Sequence, residues 1–140
     1  MDTKQVFLPA LAMVALTLVV WIRMYVVRIG EMRRERIHPQ SIATSAQIAQ
    51  RLADTRASDN FRNLFELPVL FYAALAAAAL TGQATTAVLS LAWLFVALRV
   101  LHSLIQCGYN KVMHRFWIYI AGALVLWTLW GVIATGWWTR

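Results

Sequence analysis

Arg56-Ala57-Ser58-Asp59-Asn60-Phe61-Arg62-Asn63-Leu64-Phe65-Glu66-Leu67-Pro68-Val69-Leu70-Phe71 begins charged and turns apolar within a few residues. On a helix, positions 59, 62, 63 and 66 fall at i, i+3, i+4 and i+7, so Asp59, Arg62, Asn63 and Glu66 form one polar stripe. The residues that follow, Leu67 to Leu80, carry no charge. Such a segment crosses a bilayer, and a carboxylate and a carboxamide just inside its charged end need partners from elsewhere in the chain.

The bulk composition agrees with that setting. At 61% hydrophobic and 14% charged residues, the 140-residue chain is too apolar for a soluble globule. Its length suits one domain, 1–140, and its fold class is an all-α bundle in the membrane. The formal net charge of +7 comes from basic residues that flank the apolar runs. There they report topology and contact with anionic headgroups. No basic domain stands apart from the spans and no recognition motif appears, so nucleic acid is not expected as a partner. The single cysteine, Cys107, excludes an intrachain disulfide, and no metal site is expected.

Four apolar segments approach the ~20 residues a bilayer requires, at about 6–27, 61–80, 87–106 and 116–135. The first is longer than a signal-peptide core and lacks a small-residue cleavage site, so it reads as a retained helix. Arg28, Arg33, Arg34, Arg36, Arg51 and Arg56 lie between the first and second segments, and Lys111 and Arg115 between the third and fourth. The opposite connection, Thr81 to Thr86, is uncharged. The positive-inside rule then predicts both basic loops in the cytoplasm and both termini on the other side. Bacterial inner membrane and endoplasmic reticulum fit equally. Helix one is expected to continue toward Arg36 until Pro39 stops it, and Ser45 to Asp54 suits a short interfacial helix. Gly82, Gly108 and Asn110 mark turns, and the alanines from Ala73 to Ala79 permit close helix approach.

Ionisable residues within spans are rare and usually face a bundle interior. Arg23, Glu66, Arg99, His102 and Arg115 all fall in the cytoplasmic leaflet, with Glu66 and Arg99 roughly 10 Å deep or less. Arg99, His102 and Gln106 repeat the stripe spacing, at i, i+3 and i+7. Bland readings exist for each: Arg23 can snorkel to the headgroups, Arg115 can anchor a helix, and Glu66 with Arg99 can be a structural pair. Together they leave one glutamate facing Arg62, Arg99 and Arg115. An anionic guest would balance that surplus, since guanidinium forks match carboxylates, and Glu66 would be free to take an ammonium group.

Arg62-Asn63-Leu64-Phe65-Glu66 followed by Pro68 resembles the signature of the MAPEG family, the membrane-associated proteins in eicosanoid and glutathione metabolism. Arg99-Val100-Leu101-His102, Gly108, Arg115 and Tyr119 follow in matching order, so the resemblance covers effectively the whole chain. It implies a homotrimer of four-helix subunits with glutathione between neighbouring subunits near the cytoplasmic face. Arg62, Asn63, Glu66, Arg99, His102 and Tyr119 would hold glutathione, and Arg115 would sit beside its sulfur. The implied activity is that of a transferase or peroxidase acting on a lipophilic electrophile or hydroperoxide dissolved in the bilayer. A thiol near pKa ~8.5 needs a drop of ~2 units, about 2.7 kcal/mol, to be mostly ionised at neutral pH. One guanidinium in a poorly hydrated site can supply it.

The sequence also departs from the family. Gln106 occupies a place where several glutathione-using members have tyrosine, and Phe116 one where a prostaglandin-forming member has serine. Asp59 stands where some relatives carry arginine, and the loop RIGEMRRERIHPQ lacks an Asn-Pro-Glu-Asp run. A specific eicosanoid synthase is therefore not expected. Two alternatives stay open: a non-catalytic lipid-binding or scaffold trimer of the same fold, and a small proton-coupled transporter using Glu66, against which the arginine surplus counts.

Overall fold

The computed structural model describes residues 3–138. Arg140 lies outside the described residues. Among the described residues, six α-helices follow one another: α1 (Phe7–Arg34), α2 (Ser45–Arg51), α3 (Arg56–Asn63), α4 (Leu67–Leu80), α5 (Thr86–Cys107) and α6 (Val112–Trp138). Four stretches are long and apolar enough to cross a membrane: Lys4–Arg34, Arg56–Leu80, Thr86–Cys107 and Val112–Trp138. The protein is thus an all-helical, integral, multi-pass membrane protein, with no strand among the described residues.

Local chemistry explains the boundaries. Pro9 lies in the first turn of α1, where its missing N–H removes no helix bond. At the other end Ile37 N–H donates to Met32 C=O at 2.9 Å and Arg36 adopts φ 52°. That is a Schellman turn with arginine where glycine is usual, at a cost of about 1 kcal/mol. The helix therefore stops at Arg34, short of Arg36 and well before Pro39. Thr44 and Gln47 cap α2 reciprocally, and Thr85 accepts from Val88 N–H at the start of α5. Gly82 turns the uncharged connection at φ 68°.

The second span differs from the single helix 61–80. It begins at Arg56 and is interrupted at Leu64-Phe65-Glu66. Pro68 has no N–H to offer the carbonyl of Leu64, and its ring excludes the continuous helical path, so α4 starts anew with Pro68 in its first turn. Asn63 closes α3 and Glu66 caps α4 at φ −94°, ψ −102°. The stripe therefore holds for Asp59, Arg62 and Asn63 but not for Glu66. The fourth span begins at Val112, four residues ahead of 116.

α5 packs most extensively on α6, while α1 lies against α3 and α5. Their shared interior holds Met13, Phe71, Ala74, Ala78, Ala92, Phe95, Leu126 and Leu129, each fully buried. Phe71 and Phe95 stack with centroids 4.6 Å apart. Ala74 and Ala78, one turn apart, let the neighbouring helices approach closely. Below this apolar plug, toward the α3–α4 break, the interior becomes polar.

Candidate functional site

α5 turns Arg99, His102 and Gln106 inward, and all three are at most 2% exposed. Arg99 Nη2 donates to the Asn63 carbonyl at 2.6 Å, a group freed because α3 ends there. Its Nε and Nη1 are buried with no hydrogen-bond partner, as is Nδ1 of His102. The Arg99 guanidinium carbon lies 5.6 Å from the centroid of the Tyr119 ring on α6. The ring of His102 lies 5.9 Å from the same tyrosine. Asn63 Nδ2 donates to Gln106 Oε1 at 2.9 Å, closing the floor between α3 and α5.

The remaining sequence candidates sit at the margin. Glu66 is exposed and accepts from Tyr119 Oη at 3.5 Å, so Tyr119 bridges the carboxylate and the buried arginine. No acid among the described residues forms an ion pair with Arg99, and the structural Glu66–Arg99 pair is absent. Arg62 is exposed and faces Asp59, with the nearest N–O distance 3.9 Å. Arg115 donates to Asn110 Oδ1 at 2.7 Å, turned toward the α5–α6 connection while remaining within electrostatic reach of His102. Asn63, Arg99, His102 and Tyr119 are thus gathered, Glu66 and Arg115 flank them, and Arg62 stands apart.

A second polar layer lies nearer the charged loops. Asn60 is fully buried, donates to Cys107 Sγ at 3.4 Å and accepts from Ser103 Oγ at 3.3 Å. Arg23 Nη2 donates to the Cys107 carbonyl at 2.8 Å, and Arg56 Nη1 to the Gly108 carbonyl at 2.5 Å. Arg23 therefore caps α5 rather than simply snorkelling to headgroups. Arg56 also binds Asp54 through Nε and Nη2 at 2.9 and 2.7 Å, holding that carboxyl below the usual carboxylate range despite partial burial. Glu31, 8% exposed, accepts from the amides of Ala53 and Asp54 at 2.6 and 3.3 Å.

Asn60 and Glu31 did not stand out in the sequence. Asn60 lies three residues before Asn63, and Ser103 and Cys107 share a face of α5, so spacing alone held the clue. Glu31 looked like one more headgroup residue. Among the described residues no group of three or more His, Cys, Asp and Glu is placed to hold a metal.

An apolar groove of about 430 Å³ opens between α1 and the α3–α4 break. Leu18, Trp21, Phe61, Leu64, Phe65 and Tyr72 are among its walls, so it shares the break with Asn63 and Glu66 without including Arg99. Chemically, the buried centre offers unpaired nitrogen donors on a cation with which no acid of the described residues forms an ion pair. Such a group costs several kcal/mol when left alone in a desolvated site, which favours an anionic acceptor.

The sequence model of the MAPEG family matches residues 6–135. Neither a curated protein nor a solved structure gives a significant match to the chain.

Proposed function

The chain belongs to the MAPEG family, and on that premise we propose that it is a membrane-embedded glutathione-dependent transferase or peroxidase acting on lipophilic electrophiles or hydroperoxides. The family contains such enzymes along with other members. The observation that carries the reading is the set of buried nitrogens at this centre without a hydrogen-bond partner, the donors Arg99 Nε and Nη1 together with His102 Nδ1, with no acid of the described residues paired to Arg99. Glutathione has two carboxylates to meet those donors, and its one ammonium group suits Glu66. When bound it supplies a thiolate nucleophile.

In this reading Arg99 and His102 bind a carboxylate by charge-assisted hydrogen bonds. Asn63 fixes the floor through Gln106, and Tyr119 holds the Glu66 carboxylate beside the site. Arg62 adds positive potential at the rim. Arg115 stabilises the thiolate, which requires its guanidinium to exchange Asn110 for the sulfur. The apolar groove at the α3–α4 break admits the second substrate from lipid. The proposal includes a homotrimer, with a neighbouring subunit covering the exposed Arg62 and Glu66, and both termini on the non-cytoplasmic side.

Two features favour a second reading, a trimer that binds the same ligand without turnover. Gln106 stands where a tyrosine is found in several glutathione-using relatives, and Arg115 is engaged by Asn110. Ultraviolet difference absorbance of the glutathione complex separates the two. A thiolate band that disappears in Arg115→Ala, while glutathione affinity changes by only a few fold, supports the enzyme. A band unchanged by Arg115→Ala removes that residue's assigned role, and binding with no band and no turnover favours the second reading.

A further inference from the structure

The C-terminal turn of α1 carries a pair of guanidiniums without an acid partner, distinct from the Arg99 centre. Arg36 holds the left-handed position of the Schellman turn, which glycine occupies without strain. Arg33 and Arg36 are both exposed, and neither side chain makes a hydrogen bond or ion pair with another described residue. The nearby acids are already engaged. Glu35 binds Arg34 at 2.8 Å, and Glu31 is taken by the amides of Ala53 and Asp54.

Arg33 and Arg36 border a hollow of about 410 Å³ whose other walls include Met32, Ile37 and Pro39. A second hollow of about 410 Å³ continues along α1, sharing Ile29 and Arg33 and reaching Tyr25 and Trp21. From Arg33 to Trp21 the helix descends about 18 Å. That is close to one leaflet of hydrocarbon, about 15 Å. Basic groups at headgroup level above an apolar track with aromatic walls match the two ends of a lipid.

We propose that this face of α1 is a binding site for one anionic phospholipid, its phosphate between Arg33 and Arg36 and one acyl chain along Ile29, Tyr25 and Trp21. The apolar track favours a lipid over a soluble phosphate. The charge selects among lipids: Arg33, Arg34 and Arg36 outnumber Glu35, a setting that repels a choline ammonium. The strained residue is the one that completes the arginine pair, which accounts for an arginine at a glycine position.

The test uses the full chain in neutral-headgroup detergent, titrated with phosphatidylglycerol or phosphatidylcholine of the same chains and followed by native mass spectrometry and thermal unfolding. Phosphatidylglycerol is expected to be retained at least tenfold more tightly and to raise the unfolding temperature, with inorganic phosphate producing no such rise. Arg36→Gly removes the guanidinium while relieving the backbone. It should keep or raise the basal unfolding temperature yet lose at least fivefold in phosphatidylglycerol preference, whereas Arg36→Lys keeps most of it. Equal retention of both lipids, a preference that survives in R33Q/R36G, or an equal effect of inorganic phosphate would overturn the site.

Discussion

Arg99 is the residue on which the chemistry turns. It is buried, lies against the Tyr119 ring, and makes a single hydrogen bond, to the Asn63 carbonyl, leaving Nε and Nη1 without one. Arg99→Met keeps side-chain bulk while removing both the charge and the orphaned donors. We expect basal stability to hold or rise, because an uncompensated cation leaves the interior. Ligand affinity should fall tenfold or more, since hydrogen bonds to charged groups contribute about 1.5–3 kcal/mol. Thermal unfolding with and without glutathione checks both halves, and a basal collapse together with a retained ligand shift contradicts the assignment. Asp54 gives a pH test outside the spans. Its carboxyl is held low by Arg56, so the pair contributes stability above the unfolded carboxyl range, near pKa ~3.9, and loses it as pH falls through the folded value. Because both partners are partly solvated, the contribution is small. Asp54→Asn should lower stability slightly at pH 7, with the difference shrinking as pH falls through the folded value, measured by denaturant unfolding.

Among the elements, the α3–α4 break decides where Asn63 and Glu66 stand. Pro68→Ala removes the steric cause of the break without deleting a helix bond, because Pro68 lies in the first turn of α4. Stability should stay within about 1 kcal/mol. The fused helix would carry Glu66 away from Tyr119, and ligand affinity should fall at least fivefold. Unchanged affinity would show that the break has no part in binding. Gly108→Ala tests the end of α5, where a Cβ would come 2.7 Å from the Leu104 carbonyl oxygen. A loss of about 1–3 kcal/mol is expected by thermal or denaturant unfolding. Hydropathy located four spans, and the spacing of Arg99, His102 and Gln106 put one face of α5 inside. The stripe arithmetic failed at Glu66 because it assumed an unbroken helix, although Pro68 was the visible sign of a break. The partners of Arg23 and Arg115 were not readable: Cys107 lies 84 residues from Arg23, and Asn110 faces Arg115 only once the α5–α6 turn has formed.

At the scale of the molecule, an apolar plug of Phe71, Phe95 and alanine contacts supports a polar layer displaced toward the charged loops. Side-chain bonds to backbone tie that layer together, from Arg23 and Arg56 at the end of α5, Glu31 at the α2–α3 connection and Arg99 at the end of α3. This layer holds the α3–α4 break in place, while Arg62, Phe65 and Glu66 remain on the outside of the single chain. The proposed trimer would cover them, and native mass spectrometry in mild detergent should then give three chains of 15.9 kDa, with a strictly monomeric mass contradicting that arrangement. The most direct measurement of the central claim is equilibrium binding of glutathione to the purified full chain and to Arg99→Met in the same detergent. Saturable binding to the wild type that weakens at least tenfold in the variant is the expected result. No binding to the wild type, or equal binding to both, would contradict it.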